Sequence, residues 1–157
     1  MDSNLIFAIS FFWSLIVFGL IGKWYVIPHL SLLPCATALT PLLILHSFRH
    51  IGMVFLVPGV VSSTLPTPFA YPAAYGDLLA AVLAFVALIA LRLGLRWAVA
   101  GPLVWIFNLV GTVDLLYALF QGTQLGLIEQ LGAAYFIPTI AVPALLVTHF
   151  LVFRLLL

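Results

Sequence analysis

"LIFAISFFWSLIVFGLI", residues 5–21, carries no charged side chain. Two readings compete for it: a cleaved targeting segment or the first of a set of membrane helices. A secretory signal opens with a basic region and ends at a small-residue cleavage pattern. Here the preceding residues are Met1, Asp2, Ser3 and Asn4, none of them basic, and no A-x-A pattern follows. The stretch therefore reads as a retained membrane helix. Position 2 is Asp and the chain ends Leu-Leu-Leu, so no lipidation motif stands out either.

The rest of the chain agrees. Of its 157 residues, 66% are hydrophobic and 6% are charged, against about 25% charged in a soluble domain. A soluble fold of this size has no way to hide so much apolar surface, so the bilayer is the expected solvent. The formal net charge of +1 gives no argument for a nucleic-acid partner. A single cysteine, Cys35, excludes an intrachain disulfide and reads as a small buried hydrophobe.

About 20 apolar residues span the hydrocarbon as a helix. Five segments qualify, over residues 4–22, 36–58, 73–93, 97–120 and 131–155. The expected fold is an all-α, five-helix membrane bundle forming a single transmembrane domain over residues 1–157. Between spans two and three, "GVVSSTLPTPFAYP" (59–72) has three prolines and no charge and reads as a non-helical loop. Residues 121–130 form a polar connection, and "RLGLR" (92–96) a tight basic turn. No internal repeat is visible, so the inverted-repeat design of many transporters is not expected.

Basic residues set the expected orientation. Lys23, Arg92, Arg96 and Arg154 fall on one side if the spans alternate, and Asp2, the proline loop and Glu129 fall on the other. This places the N-terminus outside and the C-terminus in the cytoplasm, with the bacterial inner (plasma) membrane as the expected home. Trp24, Tyr25 and Trp97 on one side, and Tyr71 and Tyr75 on the other, suit an interfacial aromatic belt.

Ionisable groups at membrane depth are costly, by roughly 2.5–3.5 kcal/mol each on insertion scales, and are expected to face inward and pair. Span two holds "HSFRH" (46–50), with His46 and His50 at i, i+4 and Arg49 at i+3, on one face of an α-helix. Asp77 in span three, Asn108 and Asp114 in span four, and His149 in span five complete the set. Arg49, His50, Asp77 and Asp114 reach similar depth in the outer half, with His46 beneath them and His149 nearer His46 than Asp77. A protonated histidine would balance one arginine against two carboxylates. Gly76, Ala80 and Ala84 form a small-residue stripe that lets span two approach Asp77. Asn108, Gly111 and Thr112 give span four a comparable surface. Pro138 and Pro143 free backbone carbonyls in span five.

Four readings of this cluster follow. It is a structural polar network, or a site that binds or conducts a small polar solute, ion or proton. It is a zinc or iron site built by His46, His50, Asp114 and His149, serving an intramembrane enzyme that acts on a lipid. Or it is a haem b site with His46 and His149 as axial ligands. The binding or permeation reading is preferred, through His46, Arg49, His50, Asp77, Asn108 and Asp114. Arg49 beside the two histidines disfavours a metal. Ser47, Ser62 and Ser63 lack a nucleophile-elbow context, no phosphate-binding glycine loop is present, and the only lysine, Lys23, lies too near a helix end for a retinal Schiff base. Spans apolar all round suit lipid or a second copy of the chain, so a homo-oligomer stays open.

Overall fold

Asp2 starts the first helix: its side chain accepts a hydrogen bond from the Asn4 backbone N–H at 3.0 Å, the ordinary device for an orphan donor at a helix N-terminus. The computed structural model describes residues 2–157. It is 85% helical and, among the described residues, has no strand. Five helices are long and apolar enough to cross a membrane: α1 (Ser3–Leu30), α2 (Cys35–Leu56), α3 (Thr67–Arg92), α4 (Trp97–Gln124) and α5 (Gly132–Leu156).

Several boundaries differ from the sequence expectation, each for a local reason. α1 runs to Leu30 rather than ending at residue 22, so Lys23 lies inside it. Its 28 residues extend about 42 Å, more than the hydrocarbon needs. α3 starts at Thr67, which shortens the expected loop 59–72 to residues 57–66. Pro66 caps it and Pro68 lies in its first turn, where a missing N–H costs nothing. Pro72 lies inside the helix instead of opening it. α4 continues to Gln124 and stops before Gly126, whose φ of +62° is open to glycine at little cost.

Two helices contain a π turn, Gly22–Val26 in α1 and Ile137–Ala141 in α5. In each, the N–H just before a proline bonds five residues back: Ile27 to Gly22 O, Val142 to Ile137 O. Pro28 and Pro143 then lack an N–H and crowd the carbonyl four residues earlier. The ladder widens by one residue at each. α2 changes in the opposite sense. It is α-helical to Ser47, then a tighter 3₁₀-helix from Phe48 to Leu56.

α2, α3, α4 and α5 form the core, and α1 packs outside it, mainly on α5. No residue of α1 between Ser3 and Ile21 is buried. The Ser3 hydroxyl donates to Glu129 Oε1 at 3.0 Å, and Cys35 Sγ approaches Leu155 O at 3.4 Å. These contacts fix the two ends: the starts of α1 and α5 lie together at the N-terminal end, and the start of α2 meets the end of α5 at the other. At the N-terminal end the 57–66 loop is tied down by Ala133 N–H to Val60 O and Ser62 N–H to Gln130 O, both 2.9 Å.

Buried apolar side chains form two layers. One, at the C-terminal end, contains Leu39, Leu43, Ala84, Val104, Phe107 and Val152. The other, at the N-terminal end, contains Phe55, Phe69, Ala73, Leu127, Leu131 and Ala134. Along each core helix the buried ionisable residues fall between them.

Candidate functional site

Arg49 is the largest fully buried side chain, 1% exposed. All three of its nitrogens are hydrogen-bonded. Nε donates to Asp77 Oδ1 at 2.8 Å and Nη2 to Asp114 Oδ2 at 2.6 Å, and Nη2 also lies 2.8 Å from Asp77 Oδ1 as an ion pair. Nη1 donates to Gly111 O at 3.0 Å and to His149 Nε2 at 3.2 Å. α2, α3, α4 and α5 all contribute. A guanidinium has no acceptor and always carries its charge, so pairing with carboxylates is what makes its burial tolerable.

The partners of Arg49 fix the state of His149. Since arginine only donates, His149 Nε2 presents a lone pair, and the proton sits on Nδ1. That N–H donates to Asn108 Oδ1 at 2.7 Å. Asn108 in turn donates through Nδ2 to His149 O at 3.3 Å, so one side chain holds both the ring and the backbone of His149. The His46 ring lies against that of His149, tilted by 42° with centroids 4.1 Å apart. Its Nε2 lies 3.0 Å from Thr148 Oγ1, and its buried Nδ1 has no partner. Thr148 Oγ1 also lies 3.0 Å from both Ala144 O and Leu145 O. Its single proton serves those carbonyls, so His46 Nε2–H is the donor to it.

His50 does not join the cluster. Between positions 46 and 50 an α-helix turns about 400° in total, which leaves the two residues nearly on one face. The 3₁₀ segment turns about 120° per residue, so the buried face repeats every three residues: Arg49, Gly52 and Phe55. His50 follows Arg49 by one such step and is exposed, with only Ser47 O at 3.2 Å from its Nδ1. The expected wall of His46, Arg49 and His50 therefore reduces to His46 and Arg49. The expected charge balance changes as well. His149 is neutral by its hydrogen bonds and His50 is elsewhere, so one arginine faces two carboxylates and the cluster sums to −1 with both ionised.

The metal and haem geometries are corrected on the same ground. His46 and His50 no longer converge, and no group of three or more His, Cys, Asp or Glu among the described residues is placed to hold a metal ion. The contacting His46 and His149 rings leave no space for a macrocycle, and both His149 nitrogens are engaged.

Three glycines make the room, one from each of three helices. A Cβ on Gly111 would sit 2.6 Å from Arg49 Nη1 and 2.7 Å from His149 Cε1. One on Gly52 would strike the Asp77 carboxylate, 2.6 Å from its Cγ, and one on Gly76 would strike that of Asp114, also 2.6 Å from Cγ. Sequence reasoning named Gly76 and Gly111 only as low-volume surface and missed Gly52. Its signal was the three-residue spacing from Arg49. Of the other polar residues in these helices, Tyr117 faces outward and accepts from Gln121 Nε2 at 2.7 Å. Thr112 and Thr139 bond their own helices, to Asn108 O and Tyr135 O, both at 2.7 Å.

A cavity of about 50 Å³ lies on the N-terminal side of the charged layer. Asp77 and Asp114 line it, with walls from Phe7, Phe55, Phe69 and Leu131. A single water needs roughly 10–15 Å³ on this measure, so the space suits a few waters or one small ion with water. Among the described residues Asp77 Oδ2 and Asp114 Oδ1 accept no hydrogen bond. Each carboxylate thus gives one oxygen to Arg49 and keeps the other.

The chain belongs to the family DUF8737, a domain of unknown function, which it matches over residues 6–157. No curated protein and no solved structure matches it.

Proposed function

We propose that this is an integral membrane protein of one transmembrane domain, with its N-terminal end outside and its C-terminus cytoplasmic, that binds a small cation or a proton at Asp77 and Asp114. The observation that carries the reading is the surplus negative charge. Two carboxylates share one arginine whose three nitrogens are all engaged, and both line a cavity. A buried uncompensated charge is costly, and a cation or proton in that cavity removes it. Arg49, His149, Asn108 and His46 are positioning residues in this reading. The basic residues Lys23, Arg92, Arg96 and Arg154 at one end support the orientation.

Binding is favoured over conduction. The polar chain from Asp114 through Arg49 and His149 ends at His46. Beyond it lies the apolar layer of Leu39, Leu43, Ala84, Val104 and Phe107.

Thermal unfolding of the purified protein tests the reading, with sodium, potassium, ammonium or methylammonium chloride against choline chloride at matched ionic strength. A ligand at 100 times its Kd stabilises by about 2.7 kcal/mol, which is read as a rise in Tm. Asp114→Asn leaves a one-to-one Arg49–Asp77 pair and is expected to keep the fold and lose the rise. Equal unfolding in all salts across pH 5 to 8, with Asp114→Asn no different, leaves only a structural clamp.

A further inference from the structure

α1 and α5 run side by side from the same end, and between them, towards the C-terminal end, lies a groove of about 580 Å³. It is separate from the carboxylate cavity. Leu15, Leu146, Val147 and Phe150 supply apolar walls, and Lys23 and Arg154 stand among its lining residues. Both cations are exposed. Among the described residues the only ion pairs are those of Arg49, so neither cation has a carboxylate partner.

Two glycines shape the groove. At Gly22 the helices meet: a Cβ there would lie 3.3 Å from Val147 Cγ1. At Gly19, one turn earlier, a Cβ would meet nothing within 4 Å, so the helices stand apart. The π turn of α1 begins at Gly22 and includes Lys23. Leu15 lies eight residues before Lys23, about 12 Å along the helix. The groove therefore has its two cations towards the C-terminal end and is apolar over the next two turns towards mid-bundle. A headgroup with negative charge followed by a hydrocarbon chain has the complementary order.

We infer that this groove holds one anionic glycerophospholipid, its phosphate between Lys23 and Arg154 and an acyl chain passing Gly19 between α1 and α5. Charge complementarity selects the lipid class: an unpaired lysine and arginine near a membrane surface attract anionic lipid, and a guanidinium suits phosphate geometry. The walls distinguish a lipid from a free anion, since inorganic phosphate or glycerol phosphate leaves the apolar part of the groove unfilled. The inference does not depend on what Asp77 and Asp114 bind.

The test is native mass spectrometry of protein released from nanodiscs made of equal parts phosphatidylglycerol and phosphatidylcholine. The wild type is expected to retain one phosphatidylglycerol per chain with about a tenfold preference, equivalent to about 1.4 kcal/mol. The Lys23→Gln, Arg154→Gln double variant is expected to retain the two lipids equally. Gly19→Phe fills the groove and is expected to lose the bound lipid while keeping both cations. Arg92→Gln, Arg96→Gln removes as much charge from the same end, outside the groove, and is expected to keep the preference. Excess glycerol phosphate is expected to leave the lipid in place. Equal retention of both lipids by the wild type overturns the inference. So does a preference that survives Gly19→Phe, one lost in the Arg92, Arg96 variant, or displacement by glycerol phosphate. The wild-type and Gly19→Phe measurements keep the test decisive if the double variant fails to fold.

Discussion

At the scale of single residues, Arg49 organises the interior because its hydrogen bonds are distributed over three helices besides its own. Breaking a buried pair from one side costs about 3–5 kcal/mol. Arg49→Ala is therefore expected to lower stability by that amount in a detergent unfolding titration, and Arg49→Lys to recover little of it. A lysine has three donors on a point charge and has no geometry for Asp77, Asp114, Gly111 and His149 together. The glycines make a second prediction. Gly111→Ala places a methyl against Arg49 Nη1 and the His149 ring, and overpacking of this kind costs about 1–3 kcal/mol. Gly19→Ala, in open space, is the control and is expected to leave stability within about 0.5 kcal/mol. Matching losses for the two alanines would mean that the glycines do not shape the site. Depth along each span was enough to group Arg49 with Asp77 and Asp114 from the sequence. Nothing in composition signalled Gly52, because its role lies in what a side chain would displace.

At the scale of elements, the five long apolar helices were legible as apolar runs, and their ends were less so. Proline misled at Pro68 and Pro72, which read as loop and instead lie within α3. It informed at Pro143, where the freed backbone expected from sequence takes the form of a π turn. The 3₁₀ stretch of α2 had no sequence mark. "FRHIGMVFL" contains no proline, and its one glycine sits on the buried face. Assuming 3.6 residues per turn through it placed His50 on the wrong side. Spin labels placed singly at positions 48 to 56 are expected to show restricted motion every third residue, at 49, 52 and 55. A period near 3.6 in the mobility profile would restore His50 to the cluster and refute the 3₁₀ assignment.

At the scale of the whole molecule, the charged layer lies between two apolar ones, with a cavity on its N-terminal side. The expected consequence is binding without steady flux. Proteoliposomes carrying the protein should show no cation current above that of empty vesicles under an imposed potential. Thinning the C-terminal layer, with Leu43→Ala and Phe107→Ala together, should raise leakage before it alters cation binding at Asp77 and Asp114. A sustained wild-type current would show that the apolar layer opens. This architecture was only half visible beforehand. The residues of both apolar layers were plain as hydrophobic, yet their sorting to either side of Arg49 depends on how four helices register against one another.

The pairing of Arg49 also bears on how such a chain would enter a bilayer. α2 has the lowest mean hydropathy of the five spans, 1.4 against 1.8 to 2.4 for the others. Its arginine finds its first partner, Asp77, 28 residues downstream, with Asp114 at 65 and His149 at 100. In the membrane reading proposed above, α2 alone in hydrocarbon would carry a bare guanidinium, so α2 and α3 are expected to insert together as a hairpin. The order of synthesis thereby becomes an order of neutralisation, one partner at a time, completed only when the last helix has been made.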